Sequence, residues 1–198
     1  MNCLKTSKGD IPLPAYVPVT TFGTKYPLDA LIQPYLPRLA SAVMVSHHYA
    51  KQMQTPPRLP LMIDSGGFAS LFEGAKVQEQ NGLGCLLIQK DEKTEQLTPW
   101  EVLDFQEQHA EIAFTLDFPI PPGIDRKEAR LRQKLSIANA HWALKNRRKK
   151  EMLLFAVIQG WDPESIRFCA TQYLIVPLLS VGACPQQNAP CKVLGFCK

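Results

Sequence analysis

Short apolar runs that end in polar or glycine-containing loops constrain the fold of this chain more than any other feature. They are rich in Val, Ile, Leu and Phe, and they cover Ala15–Val19, Ala42–Val45, Leu59–Ile63, Ile112–Leu116 and Leu153–Ile158. Runs of this length and composition are typical of strands buried on both faces, as in a parallel sheet that is covered by helices. The pattern therefore predicts a parallel sheet.

Helix signals lie between the apolar runs. The predicted helices are a short one from Pro27 that Pro34 and Pro37 break or kink before Leu39, one capped by Thr98, one from about Arg126 to Lys149, and one from Pro163 to Tyr173. Alternating strands and helices are typical of an α/β architecture. The polar stretch from Gly74 to Gln96 interrupts the alternation, and we expect an insertion or a small hairpin there.

The number of strand–helix units limits the fold class. The sequence supports about five units, whereas a closed (β/α)8 barrel needs eight and typically about 250 residues. We therefore expect an α/β fold, a partial (β/α)8 TIM-type barrel, as one domain over residues 12–173.

The sequence after Tyr173 does not continue the α/β pattern. Three of the six cysteines fall there, among prolines and glutamines, so residues 174–198 are expected to form an irregular tail. The preferred interpretation is a chain whose C-terminal half is missing through a shifted reading frame, and a flexible natural tail is the alternative.

The charge of the chain permits a nucleic-acid partner without requiring one. The net charge is +4, and many of the basic residues are concentrated in one stretch, namely Arg126, Lys127, Arg130, Arg132, Lys134, Lys145, Arg147, Arg148, Lys149 and Lys150. This stretch is either the solvated face of a helix or a phosphate-contacting surface. With no signal-peptide pattern and no long apolar run, we expect a cytoplasmic protein with free thiols and no membrane partner.

Polar residues follow four of the apolar runs, at the points where the predicted strands end. In parallel α/β folds this edge of the sheet gathers the functional groups. The segments are Ser46-His47-His48-Tyr49, Asp64-Ser65-Gly66-Gly67-Phe68, Asp117-Phe118-Pro119 and Gln159-Gly160-Trp161-Asp162. Their recurrence at successive strand ends predicts a site.

The second of these segments combines three features of a ligand site. The Asp64 carboxylate would emerge at the strand end, and Ser65, Gly66 and Gly67 allow a tight turn with close approach of the backbone to a ligand. Phe68 offers a ring face. The same residues are also good turn formers, so a purely structural turn is the alternative.

Asp117 and Gln159 have side chains suited to the edge of a purine. A carboxylate accepts N–H donors, and an amide both donates and accepts. A capping or turn role for Asp117 and a loop-stabilising role for Gln159 are the alternatives. His47 and His48 are adjacent and thus poorly placed to chelate one metal, so we expect one to line the site and the other to pack.

In order and spacing, these segments resemble the tRNA-guanine transglycosylase (queuine/archaeosine tRNA-ribosyltransferase) family. The matching segments are Asp64–Phe68, Pro99–Glu101, Thr115–Asp117 and Val157–Gly160, within a resemblance that covers about residues 12–173. The resemblance implies a (β/α)8 barrel and a pentosyltransferase that replaces a guanine in tRNA by a 7-deazaguanine. Its partners would be tRNA and the guanine or 7-deazaguanine base, with a homodimer or partner subunit.

The resemblance also implies residue roles. Asp64 would be catalytic, acting in acid/base steps at the ribosyl centre, and Phe68 would stack on the base. The base edge would hydrogen-bond to Asp117 and Gln159. The remaining implied substrate-binding residues are Ser65, Gly66, Gly67 and Gly160.

The sequence departs from the family in ways that bear on activity. Ala69 stands where the family has a glutamine, and no equivalent of its glycine-rich base-binding loop, nucleophilic aspartate or Cys/His zinc site is found. The spacing of Cys184, Cys191 and Cys197 is unlike that of a structural zinc site, so no metal or cofactor is expected. We expect a chain without the nucleophile to be inactive. A DNA deazaguanine-inserting ribosyltransferase and a non-catalytic remnant that binds a base or nucleic acid are the alternatives.

Overall fold

A computed structural model describes residues 2–23, 26–90 and 93–175 of the chain. Its strands are β1 (Cys3–Thr6), β2 (Gly9–Pro12), β3 (Val43–Ser46), β4 (Leu61–Asp64), β5 (Ala75–Gln80), β6 (Leu83–Lys90), β7 (Lys93–Leu97), β8 (Ile112–Phe114) and β9 (Leu153–Phe155). Its helices are α1 (Pro27–Ile32), α2 (Leu36–Leu39), α3 (His47–Ala50), α4 (Pro99–His109), α5 (Arg126–Asn146) and α6 (Pro163–Ile175). The expected tail beyond Ile175, with Cys184, Cys191 and Cys197, lies outside the described residues.

The predicted parallel sheet is confirmed. It has four strands in the order β3-β4-β8-β9, and every neighbouring pair is parallel. Ser46 pairs with Asp64 in the register of β3 and β4, so the carboxyl ends of these strands lie level. The protein is therefore an α/β fold. The described strands form an open sheet, and the partial barrel stays a prediction.

The first apolar run is not a full strand. Its backbone pairs with β3 at one isolated parallel bridge, between Val19 and Met44. The Pro18 carbonyl accepts a hydrogen bond from Met44 N, and Thr20 N donates one to the Met44 carbonyl. Pro18 itself has no N–H to donate, which limits the ladder at this edge of the sheet.

The two faces of the sheet are covered by different elements. On one face, Val45, Ile63 and Ala113 pack with Leu103 of α4 and Ala143 of α5. The other face carries a second cluster of buried apolar residues, in which Met62, Ile112 and Leu153 pack with Ile11 of the β1–β2 hairpin. Since side chains alternate along a strand, Asp64 lies on the same face as Met62.

The stretch from Gly74 to Gln96 is an insertion, as expected, and it forms a three-stranded antiparallel sheet in the order β5-β6-β7. Asn139 of α5 holds it through both sides of its amide, accepting from Gly84 N at 2.8 Å and donating to the Gly84 carbonyl at 3.0 Å. A β-carbon at Gly84 would lie 2.8 Å from Leu135 Cβ and would overlap with the Phe118 ring. The insertion therefore packs tightly against α5, beside the loop that carries Asp117.

The helix starts follow the predicted capping signals. Thr98 Oγ1 accepts a hydrogen bond from Glu101 N and donates one to the Glu101 carboxylate at 2.6 Å, so the cap of α4 is confirmed. The segment from Pro27 breaks as expected, into α1, a 3-10 turn over Gln33–Tyr35, and α2. None of the described helices combines the length and the apolar character needed to cross a lipid bilayer.

Candidate functional site

The carboxyl edge of the parallel sheet collects the residues predicted to form a site. Asp64 ends β4, and the turn through Ser65 and Gly66 leads into a short 3-10 helix over Gly67–Leu71, which contains Phe68. The loop from β8 to α5 carries Asp117, and the loop from β9 to α6 carries Gln159 and Gly160. Three neighbouring strands of the sheet therefore contribute to one edge.

The Asp117 carboxylate is the centre of this arrangement. Ser65 Oγ donates a hydrogen bond to Asp117 Oδ1 at 3.0 Å, and Gln159 Nε2 donates one to Asp117 Oδ2 at 2.6 Å. Asp117 is only 7% exposed, and Ser65 is fully buried. Residues predicted separately from the ends of three strands are thus joined in one hydrogen-bonded network.

The environment of Asp117 makes its charge costly. Burial, together with the smaller effect of the nearby Asp64 charge, raises the pKa of Asp117 to about 6. The hydrogen bonds from Gln159 and Ser65 oppose this rise because they stabilise the ionised form. At neutral pH the group is thus ionised but close to its titration, as is typical of functional sites.

The turn requires glycine at Gly66 and at Gly67 for two different structural reasons. Gly66 has a φ of +81°, in the left-handed region that favours glycine. A β-carbon at Gly67 would overlap with the Asp117 carbonyl oxygen and lie 2.9 Å from its carbonyl carbon. Gly67 N also donates to Ser65 Oγ at 3.2 Å. The turn after β4 therefore packs directly on the backbone of Asp117, and only glycine fits there.

Gly160 allows a second close approach. A β-carbon at this position would lie 2.6 Å from Ile166 Cγ1 and 2.8 Å from Ile166 N. The loop after β9 therefore crosses close to the first turns of α6. This contact gives Gly160 a structural role, while its contact with a substrate stays a prediction.

Asp64 and Phe68 lie at the more open side of the network. Asp64 is half-buried, and its effect on the pKa of Asp117 places the two carboxylates within electrostatic reach of each other. Phe68 is 46% exposed and meets Phe72 edge to face, with ring centroids 5.8 Å apart. A partly exposed aromatic ring thus follows Asp64 closely at the rim of the site.

Helix α5 supplies supporting residues that the sequence analysis missed. Gln133 Nε2 donates to the Gln159 carbonyl at 2.7 Å and to the Ser165 carbonyl at 2.9 Å, so it fixes the loop that carries Gln159. Ser136 Oγ accepts from Phe118 N at 2.9 Å, directly after Asp117. The spacing of these two residues places them near one another on the helix surface, which is the signal that could have revealed a buried polar face.

Arg132 on the same helix ties two of the site loops together. Its guanidinium donates to Ser70 Oγ and to the Pro119 carbonyl, both at 3.0 Å, and pairs with Glu128 at 2.8 Å. Arg132 is buried, whereas Arg126, Lys127 and Lys134 on the same helix are exposed. The basic stretch is therefore neither wholly solvated nor wholly available to phosphates.

The histidine pair follows β3 directly, and one of the two residues packs in the interior. Both residues begin α3, where His47 is buried and His48 is exposed. The His47 ring packs edge to face on Phe105 with centroids 5.1 Å apart. Burial, helped by the charges of Lys51 and His48, lowers the pKa of His47 to about 4. His47 is thus a neutral packing residue next to the turn at Gly66.

The described residues at this edge offer hydrogen-bonding and proton-transfer groups. The described part of the chain brings together no group of three or more His, Cys, Asp or Glu side chains that could hold a metal ion. Asp117 can accept hydrogen bonds from a ligand, Gln159 can donate and accept them, and Asp64 can transfer a proton.

Comparison with known proteins gives a family match for the chain. The model of the queuine tRNA-ribosyltransferase family matches residues 1–190. A curated relative, the tRNA-guanine(15) transglycosylase of Methanothermobacter thermautotrophicus, is 27% identical over 121 residues. This alignment covers 60% of the present chain and 15% of that protein, so the chain spans a small part of the length of its relative.

Proposed function

Because this chain belongs to the queuine tRNA-ribosyltransferase family, we propose that its carboxyl-edge site binds guanine for base exchange in tRNA. The observation that carries the proposal is the buried Asp117 carboxylate, held by Ser65 and Gln159 and adjacent to Asp64. The reaction class is pentosyl transfer, in which a 7-deazaguanine replaces guanine on the ribose, as in tRNA modification towards queuosine.

Asp117 is suited to the N–H edge of guanine. Ser65 and Gln159 each donate to a different oxygen of its carboxylate, and a carboxylate has about four lone-pair sites in all, so it can also accept from a ligand. The ring N–H and exocyclic amino group of guanine lie side by side and match two acceptors. The Gln159 amide can pair with the neighbouring carbonyl, and the Phe68 ring can stack on the base. Ser65, Gly66, Gly67 and Gly160 shape the walls.

Asp64 is proposed as the acid/base group. Breaking a glycosidic bond builds oxocarbenium character on the ribose and negative charge on the departing base. A half-buried carboxylate at the end of β4 can exchange a proton with the base and stabilise the positive charge. Asp64 and Asp117 are the carboxylates that the described residues bring together here. Since Asp117 binds the base, it is not available as the nucleophile that attacks the ribose. We therefore expect this chain to bind the base without carrying out covalent exchange on its own.

The finer architecture and the partners are part of the same proposal. We propose that residues 12–173 form part of a (β/α)8 barrel, supported by the parallel order β3-β4-β8-β9 and the helices on one face of the sheet. tRNA is the proposed macromolecular substrate, and a second copy or a partner subunit is proposed to complete the enzyme. A cytoplasmic location fits a tRNA substrate.

Guanine titration of the purified chain by calorimetry tests the proposal. We expect Asp117→Asn to weaken guanine binding by about 10- to 100-fold, because a hydrogen bond to a charged group contributes roughly 1.5–3 kcal/mol. Asp125→Asn is the matched control: it makes the same chemical change at the cap of α5, where the amide oxygen can still accept from Lys127 N and Glu128 N. Equal guanine affinity in wild type and Asp117→Asn would refute the proposal.

The choice between tRNA and DNA is tested separately. A tRNA transcript and a DNA duplex are each titrated into the wild-type chain at one salt concentration, since such affinities depend strongly on salt. Preference for tRNA supports the proposed substrate. Preference for DNA assigns the same pocket to a DNA ribosyltransferase.

A further inference from the structure

A tryptophan and an arginine stack at the side of the pocket where Gln159 lies. The Arg126 guanidinium sits over the Trp161 ring, 5.0 Å from its centroid. Arg126 also meets Asp162 at 3.7 Å, and the two side chains are 57% and 44% exposed. Trp161 itself is half-buried. The pair therefore presents aromatic and cationic surface at the rim of the fold.

The same two loops that form the pocket also position this pair. The loop that carries Asp117 leads into α5, whose first residue is Arg126. Gln159 and Trp161 lie on one loop, and Gln133 anchors that loop from α5. The pair is therefore coupled to the base-binding network through the backbone. The Phe68 ring follows β4, so aromatic rings follow strands on both sides of β8 in the sheet order.

The start of α6 does not require the tryptophan ring. Asp162 Oδ1 accepts from Ser165 N at 2.7 Å, and Ser165 Oγ accepts from Trp161 N and Asp162 N at 2.9 and 3.0 Å. These bonds use the backbone of Trp161 and the side chains of its neighbours. The loop is thus capped independently of what the indole does.

At the N-terminal end of α5, some charged side chains are paired within the protein and others are exposed. Asp125 caps the helix by accepting from Lys127 N and Glu128 N, and Glu128 pairs with Arg132. Lys127 and Arg130 are exposed, and neither forms an ion pair with any residue of the described chain. The first turns of α5 therefore hold cations that can meet phosphates.

We propose that Trp161 and Arg126 form a stacking platform for a nucleotide that flanks the exchanged base. The inference rests on the proposed function, because a tRNA whose guanine enters the pocket must lay its neighbouring nucleotides across the rim. The flanking base takes the place of the guanidinium over the Trp161 ring, and Arg126, on its flexible stem, moves to the adjacent phosphate. Aromatic rings and arginine are the groups that bind single-stranded nucleotides without reading their sequence.

A tRNA-binding assay on a matched set of variants tests this platform. Binding of a fluorescently labelled, unmodified tRNA transcript is measured by anisotropy for wild type, Trp161→Ala, Trp161→Phe, Arg126→Ala and Lys145→Ala. Lys145 is exposed in the last turn of α5, and its substitution removes the same charge as Arg126→Ala. Since α5 has 21 residues, the two ends lie about 30 Å apart.

We expect Trp161→Ala and Arg126→Ala each to weaken tRNA binding by about tenfold, as is typical when one stacked base loses its platform. Trp161→Phe should lose less, since a ring remains, and Lys145→Ala should stay within about twofold of wild type. Far-ultraviolet circular dichroism checks that each variant is folded. If Trp161→Ala does not fold, Trp161→Phe and Arg126→Ala decide the outcome.

The outcomes of this assay separate the platform from the function on which it rests. Unchanged tRNA affinity in folded Trp161→Ala and Arg126→Ala overturns the platform. If guanine binding depends on Asp117 all the same, the proposed function stands. Equal losses of tRNA affinity in Arg126→Ala and Lys145→Ala would show that Arg126 contributes only general positive charge, and this result also overturns the platform. Failure of the wild-type chain to bind tRNA at all overturns both the platform and the tRNA substrate.

Discussion

Replacing Asp117 by asparagine should change how the stability of the protein depends on pH. The folded-state pKa of Asp117 is about 6, above its usual value of 3.8, because burial and the charge of Asp64 disfavour ionisation. A raised pKa means that the group contributes favourably to folding below pH 3.8 and that this contribution is lost as the pH rises through 6. The amide of an asparagine does not titrate, so this part of the pH dependence should vanish in Asp117→Asn.

The size of the effect follows from the shift. A difference of about two pKa units between the folded and unfolded states corresponds to roughly 3 kcal/mol. About 2 kcal/mol of this change occurs between pH 4.5 and pH 7.5, a range that is convenient for unfolding experiments. The unfolding free energy of wild type minus that of Asp117→Asn should therefore decrease by about 2 kcal/mol across this range.

Urea denaturation of both proteins at several pH values measures this difference. Asp29, Glu107 and Asp162 have lowered pKa values and add slopes of the opposite sign, but they are common to both proteins and cancel in the difference. Asp64→Asn provides an internal check, because removing its charge lowers the pKa of Asp117 and should shrink the effect. A difference that is constant from pH 4.5 to pH 7.5 would show that burial does not raise the pKa of Asp117.

Further predictions concern the supports of the pocket. Gly67→Ala should cost about 3 kcal/mol of stability and abolish guanine binding, because its β-carbon overlaps with the Asp117 carbonyl. Gly123→Ala is its control, with a φ of +81° and open space around it, and should cost only about 1 kcal/mol in urea denaturation; equal costs would contradict the close approach. Gln133→Leu leaves two carbonyls without donors and should cost about 2 kcal/mol while weakening guanine binding, and unchanged calorimetric affinity would argue against its positioning role. The chain alone should incorporate no labelled guanine into tRNA, an expectation that measurable incorporation dependent on Asp64 would overturn.

Local signals were sufficient to predict much of the sheet. Uninterrupted apolar runs marked β3, β4, β8 and β9, because strands buried on both faces need apolar residues at every position. The cap of α4 was readable from Thr98 and Glu101 alone, since both partners lie within one helical turn. The rule that parallel strands gather function at their carboxyl ends then selected Asp64, Asp117 and Gln159 as neighbours.

Contacts between distant elements could not be read in this way. Ser65 was recognised as a turn residue, but its hydrogen bond to Asp117 depends on the register of β4 against β8. Gln133 and Arg132 lie in a strongly charged stretch that is typical of a solvated helix face, and only the packing of α5 shows that they are buried. The first apolar run pairs with β3 at one isolated bridge. It contains Pro18, which has no N–H to donate to a neighbouring strand, although the residues around it are apolar.

In the proposed site, the buried Asp117 carboxylate accepts hydrogen bonds from the N–H edge of guanine. Calorimetry at pH 7.5 tests this claim by measuring the affinities of wild type and Asp117→Asn for guanine and for hypoxanthine. Hypoxanthine differs from guanine only by lacking the exocyclic amino group. Wild type should prefer guanine by about tenfold or more, through one charge-assisted hydrogen bond, and this preference should disappear in Asp117→Asn. Equal affinities in wild type, or a guanine preference that survives in Asp117→Asn, would contradict the claim.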